Sequence, residues 1–255
     1  MKIVAAIPAR YESSRYPGKP LADLAGRPML WHVYQRARRV KEVDEVYVAT
    51  DDRRIADCCD GLDIPYRMTG PQPSGTDRVA EFAREVAADA YINVQGDEPL
   101  LDPTAVQLVA EALRAGAKAV ATCTDIDSQR DIVSHDIVKI VHRSDGGLLY
   151  LSRQPIPYPK TETPFRYLRQ VGLYGFCPAE LQLFTTLSAG YAEKAEGIEL
   201  LRLLENNVEV LVVNVPNNGL AVDSQADLLR AREAIAHDRL SQVLLAETRL
   251  QVGTQ

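Results

Sequence analysis

The sequence lacks most of the features that announce a function at once. No apolar run in its 255 residues approaches the ~18–20 needed to cross a membrane. The opening run, Ile3 to Ile7, is too short for a signal segment and soon meets charge, so it reads as a strand rather than a targeting element. The four cysteines (Cys58, Cys59, Cys123 and Cys177) have no CxxC spacing. That removes a zinc knuckle or redox pair and leaves free thiols, as in a reducing cytoplasm. Lys and Arg number 29 against 35 Asp and Glu, a net charge of -6 without the basic stripe of a nucleic-acid binder. The loop after the first apolar run holds neither GxGxxG nor GxxxxGK[ST]. A dinucleotide fold of the standard dehydrogenase kind is therefore disfavoured, and a P-loop is excluded. The four histidines (His32, His135, His142 and His237) are scattered and read as structural or surface residues.

What is present is alternation. "KIVAAIP", "EVYVAT", "AYINVQ", "KAVATC" and "VEVLVVNV" are apolar runs too short for a globular helix and several are rich in Val and Ile, so they read as buried strands. Between them "PMLWHVYQRARRV" carries a 3.6-residue apolar stripe behind Pro28, and "TDRVAEFAREVA" and "TAVQLVAEALRAG" share that period. Such alternation predicts an α/β fold with a doubly wound, mostly parallel sheet, in one domain over residues 1–255. From about Asp125 to Tyr174 the pattern loosens. "DIVKIVHR" and "LLYLSR" around "SDGG" predict a small antiparallel hairpin, and "RQPIPYPKTETP" an irregular arm. Ser224 to Thr248 predicts one or two amphipathic helices.

In a doubly wound sheet, ligands sit outside the carboxyl ends of the strands. The first such loop, "ARYESSRYPGKPL", brings Arg10, Ser13, Ser14, Arg15 and Lys19 together with Gly18. Fixed cations, hydroxyl donors and a hinge can wrap a triphosphate, although a solvated basic loop would look the same. "YINVQGDEPL" ends a strand with Asp97 and Glu98, and "GLAVDSQAD" sets Asp223 before a helix. Each carboxylate reads either as a cap or as a ligand for a divalent cation shared with phosphates.

These segments resemble the sugar-nucleotide cytidylyltransferases, most closely the CMP-Kdo synthetases (Kdo is 3-deoxy-D-manno-octulosonate). The resemblance continues through "VYVATDD", "SGTDRVAE", "LYLSRQPIPYP", "VGLYGF", "EGIELLR" and "AVDSQADL". It implies a Rossmann-like sheet of the nucleotide-diphospho-sugar transferase type and a Mg²⁺-dependent transfer of CMP from CTP to an acidic acceptor, with pyrophosphate released. Lys19, Arg10 and Asp97 would be catalytic, and Asp97 and Asp223 the Mg²⁺ ligands. CTP would meet Ala9, Arg10, Ser13, Ser14, Arg15, Lys19, Ser74, Gly75, Thr76 and Arg78. The acceptor would meet Gln95, Arg153, Lys160, Gln170, Tyr174, Glu199, Leu200 and Arg202. The resemblance further implies a homodimer, with residues 125–176 covering the acceptor near the dimer contact, and a cytoplasmic place in lipopolysaccharide biosynthesis.

The match is imperfect at two places. Gly70, Pro71, Gln72 and Pro73 replace the Arg- and His-bearing loop before "SGTDR" in the family. Lys160, Gln170 and Leu200 replace an Arg, a His and a Gln at acceptor positions. Arg to Lys loses the bidentate fork, and Leu cannot donate a hydrogen bond. Kdo is the expected acceptor; a related sugar acid such as amino-substituted Kdo, or a small phosphonate such as phosphonoformate, is the alternative. A nicotinamide oxidoreductase would need the missing glycine-rich turn, and Lys19, Asp97 and Asp223 speak against a silent nucleotide binder.

Overall fold

The computed structural model describes residues 1–12, 16–161, 165–216 and 220–252, with side chains to residue 248. Eleven strands and ten α-helices, with one 3-10 turn at Lys19–Leu21, follow along these residues. In chain order they are β1 (Ile3–Ala9), β2 (Asp23–Leu24), β3 (Arg27–Pro28), α1 (Met29–Ala37), β4 (Glu45–Thr50), α2 (Arg53–Asp60) and β5 (Tyr66–Met68). Then come α3 (Gly75–Phe82), β6 (Ala90–Val94), α4 (Pro103–Arg114), β7 (Ala119–Asp125), α5 (Gln129–Val133), β8 (Lys139–His142) and β9 (Leu148–Ser152). The last are β10 (Leu168–Phe176), α6 (Pro178–Thr186), α7 (Tyr191–Glu196), α8 (Leu201–Glu205), β11 (Leu211–Asn214), α9 (Gln225–His237) and α10 (Arg239–Val252).

The main sheet runs β11-β7-β10-β6-β1-β4-β5, with β8 and β9 branching from β10. Strand β1 pairs in parallel with β4 and β6, and β7 with β11. Both faces of β1 are covered, which is why its sequence is a continuous apolar run rather than an alternating one. Ile3, Ala5 and Ile7 pack with α1 and α4, whereas Val4 and Ala6 pack with Val79 and Phe82 of α3. The doubly wound expectation is met.

Strand β10 was not anticipated. It is nine residues long and antiparallel to β6 and β7, between which it lies. Its glycines hide it from a propensity reading but serve its position. A Cβ on Gly175 would meet Val109 and Leu113 of α4 at 2.7 and 2.9 Å, and one on Gly172 would meet Gln95 at 2.6 Å. The hairpin over "SDGG" forms as β8 and β9. The C-terminal stretch is two helices, broken at Asp238, whose side chain accepts from the backbone N–H of Ser241 at 2.6 Å.

Candidate active site

The carboxyl ends of β1 and β6 open into a cleft of about 740 Å³, a size ordinary for a small-molecule site. On its wall the Lys19 ammonium donates to Asp97 Oδ2 at 2.8 Å and to Asp223 Oδ1 at 3.1 Å. Three residues spread over two hundred positions thus meet at one point, and each is placed by local chemistry.

Lys19 follows Gly18, whose φ of +73° is open to glycine and strained for other residues. Gly18 N–H donates to Tyr11 O at 2.8 Å, closing the loop on itself, and a Cβ there would lie 3.1 Å from the Tyr11 ring. Asp97 follows Gly96, whose added Cβ would stand 3.1 Å from the Pro8 carbonyl. Only glycine lets β6 end this close to β1. Asp223 precedes α9, and its segment is tied to the other carboxylate by a Val222 N–H···O=C Asp97 bond of 2.9 Å. The cap of α9 is Ser224, with Asp227 reciprocating in a capping box. Capping therefore does not occupy Asp223, and its carboxylate faces the cleft.

A separate apolar cluster holds this corner together. Leu24 and Met29, just after Lys19, pack with Val222, Leu228, Ala231 and Ile235 around Asp223. Arg232 of α9 adds two hydrogen bonds to Asp23 O at 3.0 and 3.1 Å.

Of the residues expected from the sequence, Ala9, Arg10, Lys19, Ser74, Gly75, Arg78, Gln95, Asp97, Arg153, Tyr174 and Asp223 line this cleft. Ser13, Ser14 and Arg15 lie outside the described residues. Ser74 also caps α3, its Oγ accepting from Asp77 N–H at 3.1 Å. Arg78 is buried and spent on the protein itself: it donates to Asp51 at 2.9 Å, to Thr69 Oγ1 and to Gly70 O. It shapes the loop that replaces the family's Arg and His, and Gln72 of that loop reaches the cleft.

Six other expected residues are not among those that line this cleft. Thr76 is fully buried, its hydroxyl accepting from Asn93 Nδ2 at 3.2 Å. Leu200 is also fully buried, in the apolar core beside Leu201, Leu203 and Phe184. Lys160 is exposed on the irregular arm, away from the cleft lining. Gln170 donates to the hydroxyl of the cleft-lining Tyr174 at 2.8 Å. Arg202 is clamped to Glu193 at 2.6 and 2.8 Å and stacks over Phe184. Glu199 lies behind Thr76, and burial raises its pKa against hydrogen bonds from Ser74 and Thr76. None of the three acceptor-side departures, Lys160, Gln170 and Leu200, lines the cleft.

A carboxyl group and a phenol with raised pKa values complete the electrostatics. Burial, with Asp97 alongside, pushes Glu98 up to about 7. Burial also raises the Tyr174 phenol well above its ordinary value, with Glu199 and Glu98 adding to the shift, so it stays a neutral donor and acceptor. Pro8, Pro20 and Gly96 line the cleft without having been singled out, as does Asp136. Asp136 sits in "SHDIV", a turn with no motif to mark it.

The cytidylyltransferase family model matches residues 4–210. The 3-deoxy-manno-octulosonate cytidylyltransferase of Anaeromyxobacter dehalogenans is 43% identical over 238 residues, 92% of this chain and 98% of the relative. That of Nitratidesulfovibrio vulgaris is 47% identical over 232 residues, covering 87% and 91%. A solved structure of CMP:2-keto-3-deoxy-manno-octonic acid synthetase complexed with CTP superimposes with a TM-score of 0.90 at 40% identity, over 93% of this chain and 99% of that one. This chain belongs to the cytidylyltransferases, within the 3-deoxy-manno-octulosonate cytidylyltransferase family.

Proposed function

We propose that the protein transfers CMP from CTP to Kdo and releases pyrophosphate, with Mg²⁺ as its metal. The observation that carries this reading is the Lys19 ammonium held between Asp97 and Asp223 in a cleft at the strand ends. Two carboxylates already sharing one cation form an oxygen-only donor set. Mg²⁺ suits such a pair because it takes few carboxylates and fills its octahedron with water and substrate phosphates. Among the described residues no group of three or more His, Cys, Asp or Glu could hold a metal, and an ion shared with a nucleotide does not need one. Asp97 and Asp223 would hold the ion, which when bound neutralises charge on the phosphates.

The chain's own groups supply the rest. Arg10 and Lys19 bind the triphosphate, with Lys19 exchanging its carboxylate partners for phosphate oxygens. The loop from Gln72 to Gly75 takes the nucleoside. Gln95, Arg153 and Tyr174 orient the acceptor. The acceptor's hydroxyl oxygen forms a bond to the α-phosphorus as the bond to the pyrophosphate oxygen breaks, in line, and the hydroxyl proton passes to solvent. Catalysis on this scheme is positioning plus stabilisation of charge on phosphate oxygens.

A homodimer is part of the proposal: Leu149 and Tyr150 on β9 and Tyr158 on the arm are exposed, apolar surface that a second copy would cover. So is a cytoplasmic location: Cys58, Cys59, Cys123 and Cys177 are all free. The test is pyrophosphate release from CTP and Mg²⁺ with Kdo, amino-substituted Kdo, other 3-deoxy-ulosonates and phosphonoformate in parallel. CMP-Kdo as the dominant product is expected. A wild-type enzyme inert toward Kdo but active on another acid would overturn the acceptor, and one inert toward all of them the reaction.

A further inference from the structure

The turn between α5 and β8 is held far more firmly than an exposed connection requires. Lys139, the first residue of β8, is completely buried, and its ammonium donates to Ser134 O at 2.7 Å and Ile137 O at 2.6 Å. The carbonyl next to the first of these, His135 O, accepts from Arg153 Nη1 at 2.8 Å. Arg153 is fixed in turn, its Nε donating to Glu196 O at 2.7 Å and its backbone N–H to Glu196 Oε2 at 2.8 Å. Two cations therefore hold three carbonyls within four residues. Removing an ammonium from water is costly, and these carbonyl contacts, with the Glu196 carboxylate nearby, offset it. The residue left standing out is Asp136, exposed and on the wall of the cleft together with Arg153.

We propose that Asp136 is a specificity-determining residue for the acceptor, and that Lys139 is the positioning residue that sets it. An ionised carboxylate only accepts hydrogen bonds, so Asp136 receives the hydroxyl groups of a polyhydroxylated acid. Arg153 beside it takes an anionic group of the same molecule. A carboxylate at this point also repels any acceptor with a second negative charge at its hydroxyl-bearing end, which favours a sugar acid over a compact phosphonate. The inference rests on the reaction proposed above and names the part of the cleft that selects its acceptor.

Steady-state kinetics on the full-length enzyme, varying Kdo at saturating CTP and CTP at saturating Kdo, test it. Asp136→Ala should raise the KM for Kdo about tenfold, the range of a lost hydrogen bond to a charged group, and leave the KM for CTP within twofold. Lys139→Met should raise the KM for Kdo by a similar factor in the wild-type background and by less than twofold in Asp136→Ala, because the two act through one group. A purely structural lysine would affect both backgrounds equally, and that result overturns the positioning role. Asp136 is exposed, so its own variant folds whatever Lys139→Met does. An Asp136→Ala enzyme with the KM for Kdo of an active wild type overturns the assignment alone. A wild type inert with Kdo overturns the proposed function first, and this inference with it.

Discussion

The two walls of the cleft were built differently, and they were legible to different degrees. On the wall proposed for the nucleotide, Ala9, Arg10, Lys19, Ser74, Gly75 and Arg78 line the cleft, and among the described residues of that expected set Thr76 alone is turned inward. On the acceptor wall, Gln95, Arg153 and Tyr174 line it, while Lys160, Gln170, Glu199, Leu200 and Arg202 do not. The first wall grows from parallel strands, whose carboxyl ends all open on one side of the sheet. The second comes from an antiparallel strand, a hairpin and short helices, where facing depends on how separate pieces pack. A residue aligned by motif on that wall can support the site from behind without touching a ligand.

The sharpest way to break the comparison is at the meeting point of the walls. Asp97→Asn should lower pyrophosphate release by roughly 10³-fold while the thermal unfolding curve stays in place; full activity in that variant would remove the shared-cation site. Next is Leu200→Gln, which restores the family's residue. Because Leu200 is wholly buried among apolar neighbours, the amide should cost about 2–3 kcal/mol in denaturant unfolding and leave the KM for the acceptor unimproved. A stable variant with a lower KM would return Leu200 to the acceptor wall.

The acid-side behaviour of Glu98 gives a smaller effect with a definite sign. Its carboxyl is raised from 4.5 to about 7 by burial. Between those values the folded protein holds a proton that the unfolded chain has released, so stability falls as pH rises through this window and levels off above it. Glu98→Gln should flatten that decline, seen as a gain in Tm over wild type at pH 8 that is absent at pH 4.5. An unchanged pH slope would place Glu98 in water. The smallest effect belongs to Lys160→Ala. An exposed side chain away from the cleft should change the KM for Kdo by less than twofold; a tenfold rise would bring the arm over the acceptor.

Legibility followed the range of the interactions. Strand β1 and the stripe of α1 could be read because their causes are local: apolar period and a proline. Gly172 and Gly175 have equally firm causes, in Gln95 and in Val109 and Leu113, but those partners are distant in the chain. Strand β10 was invisible for that reason. Asp136 was missed for another reason, since the lysine and arginine that fix its turn act on backbone carbonyls and leave no side-chain spacing to recognise.

The order of residues alone determined the doubly wound sheet, the cationic loop after β1 and the oxygen-rich donors at Asp97 and Asp223, because each is written in a short window of apolar period, charge and glycine. Tertiary structure decided which of those side chains share a cleft. Lys19 meets Asp223 across more than two hundred residues because Leu24 and Met29 pack against Val222, Leu228 and Ile235, and Leu200 is buried in the core with Leu201, Leu203 and Phe184. Burial against distant partners is a property of the folded whole, and no local pattern carries it.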